Sequence, residues 1–350
     1  MAYTTIDNPV EYFSATLYTA NGTARTIATG HQSDWVWLKR RDGAAGHRIA
    51  DSVRGVNKLL YADSSTNEQS ASNTITGFVS TGFTLGDDSG GYDVNTSSNT
   101  MVAWSWKAGT SFTNDASSTG VGSIDSAGSV NTDAGFSITS YTGTGSAGTI
   151  KHGLSTVPKM IIVKNRDAAQ HWGVYHVGIG NTKHLRLNST NAASDSNNLW
   201  NNTTPTSSVF SVAGQDMVNK SGDNSIAYCF AEKKGYSKFG SYTGNGNADG
   251  TFVYTGFKPA FVIAKNTGAS EGWSLFDNKR STSGANLIDD FLVPSSSEAE
   301  ISQNVCDFVS NGIKFRHVDG KYHNSGGSYI YMAFAESPFV NSNGVPNNAR

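Results

Sequence analysis

Apolar residues in this sequence come in short runs or alternate with polar residues, and each group is bounded by Gly, Asn or Ser. Examples are residues 161–163, 252–254 and 329–334. Turn-forming residues recur about every eight to twelve positions, which is the spacing of strands in an antiparallel sandwich. Only the stretch 284–292, which stops before Pro294, favours a helix. The pattern predicts an all-β fold.

Three markers appear in the same order three times along the chain. Each copy begins with a Tyr-Thr pair, continues with an apolar strand that ends in lysine, and closes on a second apolar strand. The Tyr-Thr pairs start at Tyr18, Tyr141 and Tyr242, the lysines are Lys39, Lys164 and Lys265, and the closing strands span 102–106, 226–230 and 330–334. Because the lysines are 125 and 101 positions apart, the sequence predicts a tandem array of modules of roughly one hundred residues. A lysine that ends an inner strand is expected at the rim of its module, with ligand binding as the alternative.

The predicted modules are three tandem β-sandwiches of a jelly-roll-like kind. Module 1 spans residues 1–112, module 2 spans 134–235 and module 3 spans 236–339. A Gly/Ser/Thr-rich linker is predicted at 113–133, and a polar C-terminal tail at 340–350. The linker composition predicts that module 1 is hinged, whereas modules 2 and 3 follow each other directly and are expected to be rigidly joined.

Composition narrows the class of protein. Charged residues make up 15% of the chain and the formal net charge is −2, so the basic stripe needed for nucleic acid or an anionic membrane is absent. No apolar run reaches the roughly 18 residues of a membrane span, and residues 1–8 do not resemble a secretory signal. The two cysteines, Cys229 and Cys306, are expected to serve packing in a protein made in a reducing cytoplasm. We expect no nucleic-acid partner and no membrane insertion.

Residues that could carry chemistry do not form a recognisable catalytic or metal-binding motif. His171 and His176 flank one predicted strand and leave a metal pair open, although ordinary strand-edge positions explain them as well. The run 87–93 is acidic but lacks the alternating ligands and terminal glutamate of a calcium loop. A glycosidase-like carboxylate pair and a solvated acidic loop are both open for four residues: Asp289, Asp290, Glu298 and Glu300. We expect no cofactor, no bound metal and no catalytic residue.

Tryptophan is frequent for so polar a chain, which has seven of these residues. Trp104 and Trp106 lie on one face of a closing strand and align with apolar residues in the other modules, which predicts core positions. Trp200 instead stands in a polar run beside Asn201 and Asn202. A loop tryptophan flanked by amides is typical of a platform on which a sugar stacks, with simple anchoring of the loop as the alternative. Trp200, Asn201 and Asn202 are therefore the predicted ligand-binding residues.

Several longer strings resemble one family of proteins. They include the Tyr-Thr-Gly-x-Gly motif and the segments 158–167, 200–210, 227–246 and 333–339. In these strings the chain is similar to repeat-bearing virion structural and tail-fibre-like proteins of marine bacteriophages, of the cyanophage and pelagiphage type. The resemblance covers nearly the whole chain and brings no catalytic residues with it. It implies a structural protein of the virion.

The resemblance and the repeat together predict a bacteriophage virion structural protein, a tail-fibre or receptor-binding appendage that contacts the host cell surface. A capsid decoration or head-fibre protein is the alternative within this class. A host-polysaccharide-binding lectin or depolymerase is the alternative from another class. We expect a protein that is not an enzyme, is made in the host cytoplasm and resides in the virion. The expected partners are further copies of the chain in a homotrimer, other virion proteins, and a host surface glycan or receptor.

Overall fold

The computed structural model describes residues 2–195, 199–281, 286–320 and 324–347. Within these ranges the regular structure is almost entirely antiparallel β-strand, which confirms the all-β prediction. The helical segments that lie wholly within these ranges are one 3-10 turn, Pro9–Glu11, and two four-residue helices, α1 (Ala116–Thr119) and α2 (Asp216–Asn219). No helix in the described part of the chain has the length and apolar character needed to cross a membrane.

The names module 1, module 2 and module 3 denote three sets of strands, the first of which ends at residue 106 and forms two sheets. Its strands are β1 (Phe13–Thr19), β2 (Arg25–Ala28), β3 (Trp35–Arg40), β4 (Arg48–Asp51), β5 (Lys58–Tyr61), β6 (Gln69–Ser70), β7 (Ile75–Val79), β8 (Gly82–Leu85) and β9 (Thr100–Trp106). The larger sheet has the order β1-β9-β3-β4-β5-β6, and the smaller sheet has the order β2-β8-β7.

Module 2 and the segment before it also form two sheets. The strands are β10 (Thr110–Asn114), β11 (Ser126–Asn131), β12 (Phe136–Thr142), β13 (Gly148–Lys151), β14 (Met160–Asn165), β15 (Gly173–His176), β16 (Lys183–Arg186), β17 (Ser194–Asp195), β18 (Val209–Val212) and β19 (Asn224–Phe230). The larger sheet has the order β10-β11-β12-β19-β14-β15-β16-β17, and β13 pairs with β18.

Module 3 forms one continuous sheet. Its strands are β20 (Ser237–Thr243), β21 (Phe252–Tyr254), β22 (Phe257–Asn266), β23 (Trp273–Asp277), β24 (Leu287–Leu292), β25 (Ile301–Val309), β26 (Gly312–Phe315) and β27 (Ser328–Pro338). Their order is β20-β27-β22-β23-β24-β25-β26-β21, so β21 lies at an edge. The stretch 284–292, expected to be helical, was assigned wrongly, because its described part contains β24 paired with β25.

The sequence repeat is also a repeat of strand order. In each module the first strand pairs with the closing strand, the closing strand pairs with the lysine strand, and the lysine strand pairs with the strand that follows it. The register repeats as well: Trp37 faces Trp104 in β3 and β9, and Ile263 faces Met332 in β22 and β27. Positions that align in the sequence therefore occupy equivalent places in the three sheets.

The three larger sheets share one hydrophobic core. A single cluster of buried residues, which we call the central core, takes side chains from modules 1, 2 and 3. Trp35 of module 1 lies 4.7 Å from Tyr228 of module 2 between ring centroids, and Trp106 lies 5.5 Å from Phe334 of module 3. The modules are therefore packed around a common centre. A hinged module 1 was the wrong expectation.

The opposite face of each larger sheet packs on a cluster of its own module, and these three clusters are the outer cores. The lysine strands β3, β14 and β22 are consequently buried on both faces, which explains why they read as continuous apolar runs. Cys229 and Cys306 are buried in the outer cores of modules 2 and 3, and both are free thiols without a disulfide bond. Trp104 and Trp106 are fully buried in the central core, as predicted.

The three repeated lysines tie the modules together and do not lie at an exposed rim. All three are fully buried, and burial lowers the pKa of each to about 8. Each ammonium group donates to a backbone carbonyl of another module. The pairs are Lys39 to Ser297 at 3.3 Å, Lys164 to Ser65 at 3.0 Å and Lys265 to Thr190 at 3.2 Å. The lysine of module 1 thus binds module 3, the lysine of module 3 binds module 2, and the lysine of module 2 binds module 1. These three hydrogen bonds form a closed ring of head-to-tail junctions.

Two of these junctions carry a partly buried ion-pair network. Glu300 of module 3 binds Arg41 of module 1 at 2.7 Å and Arg280 of its own module at 2.7 Å. The equivalent arrangement joins modules 1 and 2, where Glu68 binds Arg166 and Arg54. The two fully buried guanidinium groups, Arg54 and Arg280, also bind Asp51 and Asp277, so each buried charge is paired where an unpaired charge would be costly.

The segment 113–133, expected to be a linker, contributes strands to the sheet of module 2. β11 pairs on one side with β10 and on the other side with β12. The segment is poor in apolar residues because it forms the outermost part of that sheet. The described part of the tail also has a place, since Val340 bridges Pro346 and the backbone N–H of Ser342 donates to Asp7 at 2.7 Å.

Candidate functional site

The structure places Trp200 inside module 2 and not on a loop surface. Its side chain is 2% exposed and belongs to the outer core of that module. The ring meets Tyr175 edge to face at a centroid distance of 6.0 Å. A buried indole has no face to offer a sugar, so the prediction of a stacking platform at Trp200 was wrong. The alternative of loop anchoring is the one that the burial supports.

Asn201 and Asn202 remain at the surface next to this anchor. Both have positive φ angles, 51° and 47°, which asparagine tolerates better than most residues. The loop is held by Asn181, whose side-chain amide donates to the carbonyl of Asn202 at 3.0 Å and to Thr204 at 2.9 Å. Asn201 and Asn202 therefore form an exposed turn. The buried side chain of Trp200 beside them anchors this turn to module 2.

The four acidic residues that were candidates for a glycosidase-like carboxylate pair lie in different surroundings. Glu300 is committed to the ion pairs between modules 1 and 3. Asp290 accepts a hydrogen bond from Ser302 at 2.7 Å, and burial raises the pKa of its carboxyl. Glu298 lines a cleft of about 370 Å³ together with Glu271 and Trp273, and the lining of that cleft does not include Asp289.

The histidines bind separate protein groups. His176 is fully buried and its Nδ1 accepts from the backbone N–H of Gly178 at 3.0 Å. Nε2 then carries the proton and donates to the carbonyl of Tyr331, across the junction with module 3, at 3.1 Å. His171 pairs instead with the side-chain amide of Asn188 at 2.9 Å. Burial lowers the pKa of His176 to about 4, so the neutral form is the one that the fold requires.

The acidic run 87–93 is organised by Asp88. Its carboxylate accepts from the backbone N–H groups of Tyr92, Val94 and Asn95 at 3.0–3.1 Å, and from the Thr96 hydroxyl at 2.9 Å. These donors occupy the positions around the carboxylate that a cation would otherwise take. In the described ranges, no three His, Cys, Asp or Glu residues cluster as metal ligands would.

The sequence reasoning missed an exposed aromatic surface on module 3. Phe252 and Tyr254, on edge strand β21, are 46% and 52% exposed, while Val253 between them is buried. Tyr3 crosses to this strand: its hydroxyl lies 3.3 Å from that of Tyr254 and donates to the carbonyl of Gly256 at 2.8 Å. We call Tyr3, Phe252 and Tyr254 the aromatic face.

The strand register shows that this surface is particular to module 3 when it is compared with module 1. Phe252 and Tyr254 face Lys314 and Gly312 in β26, and the register-equivalent strand of module 1 carries Thr26 and Ala28. The alternation of exposed and buried residues is the same, but module 1 has no aromatic ring at these places. An exposed aromatic pair in one copy of a repeat is a signal of a local function, because the fold does not require it.

Residues 8–338 match the model of a family described as a domain of unknown function (DUF7483). No curated protein matches the chain. The matched residues include the three repeated strand patterns and the aromatic pair of β21. The description of the family assigns neither an activity nor a ligand.

Proposed function

We propose that this chain, which belongs to the family of the domain of unknown function (DUF7483), is a bacteriophage virion structural protein that acts as a tail-fibre or receptor-binding appendage. The observation that carries the proposal is the closure of three repeated sheets around one central core. Such a body holds its outward loops and sheet faces rigidly, which suits attachment and display. The resemblance of the longer sequence strings to marine phage virion proteins supports the same function.

The internal chemistry of the molecule favours a binding protein over an enzyme. The buried lysines donate to carbonyls across module junctions, and Glu68 and Glu300 pair with arginines there. The lysines are fully buried, the two glutamates are partly buried, and each of these groups has a structural partner. We therefore assign them to assembly of the fold.

Quantitative mass spectrometry of purified phage particles tests the proposed location. We expect the protein in the particle at a copy number typical of tail appendages, in the tens. A copy number in the hundreds would favour the capsid decoration alternative, and absence of the protein from intact particles would contradict both. The host surface glycan or receptor is tested separately, by binding of the purified protein to host cells and competition with isolated envelope glycans.

The homotrimer predicted from the sequence is tested by the mass of the purified protein in solution. One chain has a mass of 37.1 kDa, so sedimentation equilibrium separates a monomer from three associated chains. The ring of junctions within one chain provides a threefold arrangement without further copies. A monomer at micromolar concentration would mean that the internal repeat takes the place of oligomer symmetry, and the trimer proposal would fail.

One observation favours a polysaccharide-active enzyme as a second candidate. Glu271 and Glu298 line the same cleft, which also contains Trp273 and several serine residues. Two carboxylates across a cleft are the minimum that glycoside hydrolysis requires. Release of reducing ends from host polysaccharide that is lost in Glu298→Gln, but retained in the distant Glu336→Gln, would support this candidate. Equal activity of the two variants, or no release at all, would reject it.

A further inference from the structure

We propose that the aromatic face of module 3, formed by Tyr3, Phe252 and Tyr254, binds a neutral saccharide. This inference names the ligand class for the proposed receptor-binding function and rests on it for its biological meaning.

The ring of Phe252 lies against the backbone of the neighbouring strand. A Cβ atom built on Gly312 would come within 2.8 Å of both Cε2 and Cζ of Phe252, which places the ring over this glycine. The glycine itself is required by the backbone, because the same Cβ would clash with the carbonyl oxygen of Val253. With the sheet beneath it, a ring that is still 46% exposed presents its outer surface to water. Phe252 and Tyr254 are two positions apart on one strand face, so their Cα atoms are about 7 Å apart. Two adjacent rings at this spacing form an extended apolar platform.

The tyrosine hydroxyls leave a hydrogen-bond acceptor beside this platform. Each phenol has one proton, and the proton of Tyr3 is donated to the carbonyl of Gly256 at 2.8 Å. In the pair with Tyr254, at 3.3 Å, Tyr254 must therefore be the donor and the oxygen of Tyr3 the acceptor. The oxygen of Tyr254 then keeps its lone pairs for an incoming hydroxyl group. The ammonium of Lys234 lies 4.5 Å from the Tyr3 ring centroid and holds that ring in place.

Two of the three cations around the aromatic face are paired with carboxylates, and the third, Lys234, lies over the Tyr3 ring. Lys314, directly opposite Phe252, binds Asp249 at 2.7 Å. On the adjoining strands, Arg316 binds Asp307 at 2.6 Å. Because each of these three cations is already engaged by a carboxylate or by a ring, the surface suits a neutral ligand better than a polyanion, which would need several unpaired cations. The apolar ring faces can pack against the C–H face of a sugar ring. The oxygen of Tyr254 can accept a hydrogen bond from the hydroxyl groups at the edge of the sugar.

Module 1 supplies the matched variant. Thr26 and Ala28 occupy the equivalent exposed positions of β2, so the double variant F252T/Y254A gives module 3 residues that this fold already accepts. Its thermal unfolding should equal that of the unchanged protein within about 2 °C. Leu17→Thr, at a site that is 40% exposed in module 1, serves as the control for loss of an exposed apolar side chain elsewhere.

Affinity electrophoresis through gels containing dextran, laminarin, galactomannan or soluble starch tests the proposal. The unchanged protein and Leu17→Thr should be retarded by at least one of these neutral polysaccharides. F252T/Y254A should bind at least about tenfold more weakly, since two stacking contacts are lost. Equal retardation of F252T/Y254A, or no retardation of the unchanged protein by any of the four, would overturn the proposal. Retardation by alginate alone, a polyanion, would overturn it as well.

These outcomes are separable from those that test the proposed function. Protein present in phage particles without saccharide binding would remove only the ligand class. Saccharide binding that depends on Phe252 and Tyr254, by a protein absent from the particles, would remove only the virion function.

Discussion

Replacement of Phe334 by alanine tests whether the three modules depend on one core. The side chain is 1% exposed, and its ring contacts six aromatic rings at centroid distances of 5.3–6.3 Å. Phe13 and Trp106 belong to module 1 and Phe230 to module 2. Truncation of a buried phenylalanine costs about 3–5 kcal/mol, and sheets on three sides prevent the cavity from collapsing. We therefore expect the upper half of that range.

The size of the thermal shift distinguishes a shared core from independent modules. An unfolding entropy of ~2.1 cal/mol/K per residue gives about 0.7 kcal/mol/K for the 350-residue chain. A loss of about 4 kcal/mol then lowers the Tm of one common transition by about 6 °C. If module 3 unfolded alone, with roughly a third of that entropy, the same loss would lower its own Tm by about 18 °C and leave module 1 unchanged.

Near-UV circular dichroism of the tryptophans, during heating, reports this shift, and amide hydrogen exchange locates it. Phe308→Ala is the matched control, because Phe308 is also 1% exposed and lies in the outer core of the same module. We expect Phe334→Ala to speed exchange in β9 of module 1 under native conditions, and Phe308→Ala to speed it only in module 3. Unchanged exchange in β9, together with an isolated transition of module 3, would refute the shared core.

The remaining predictions concern the junctions and the segment before module 2. Glu300→Gln removes the carboxylate shared by Arg41 and the fully buried Arg280, which keeps Asp277, and should cost about 2–3 kcal/mol in urea unfolding. Glu336→Gln, whose carboxylate is 36% exposed in its pair with Lys258, should cost less than about 1 kcal/mol, and similar costs of the two variants would contradict the junction role. His176 has a folded pKa of about 4, below the unfolded value near 6.5, so its contribution is complete above pH 6.5 and falls by about 3 kcal/mol toward pH 4. His176→Gln should flatten the dependence of unfolding free energy on pH in that window, and an unchanged slope would contradict the assignment. Amides of Ser126–Asn131 should be protected from hydrogen exchange by strands on both sides, and exchange at the rate of an unfolded peptide would restore the linker interpretation.

The repeat was readable from the sequence because strand register depends on local alternation. The apolar strands that end in Lys39, Lys164 and Lys265 and the closing strands after them were identified from residue types alone, and in the structure each closing strand pairs with the lysine strand of its own copy. Burial of Trp104 and Trp106 was predictable for the same reason, since a two-residue period marks one face of a strand. The all-β class follows from these same local patterns.

The aromatic face and the position of Trp200 required the structure. Trp200 stands among polar neighbours in the sequence, yet two residues with positive φ after it turn the chain so that the indole packs on Tyr175. Phe252 and Tyr254 show the reverse, since their strand has apolar residues on both faces and only its edge position leaves one face in water. Alternation tells which residues share a face, but not whether another element covers that face.

Local features of this protein, namely its strands and their threefold repeat, follow from residue types along the chain. Three other features became visible with the folded chain: the core shared by the modules, the carbonyl that each buried lysine binds in another module, and the place of residues 126–131 in a sheet. One cause accounts for all three. Burial and hydrogen bonding depend on residues that lie up to hundreds of positions away in the sequence. The sequence of a strand shows that its apolar side chains and backbone groups need partners, but it does not show which residues provide them.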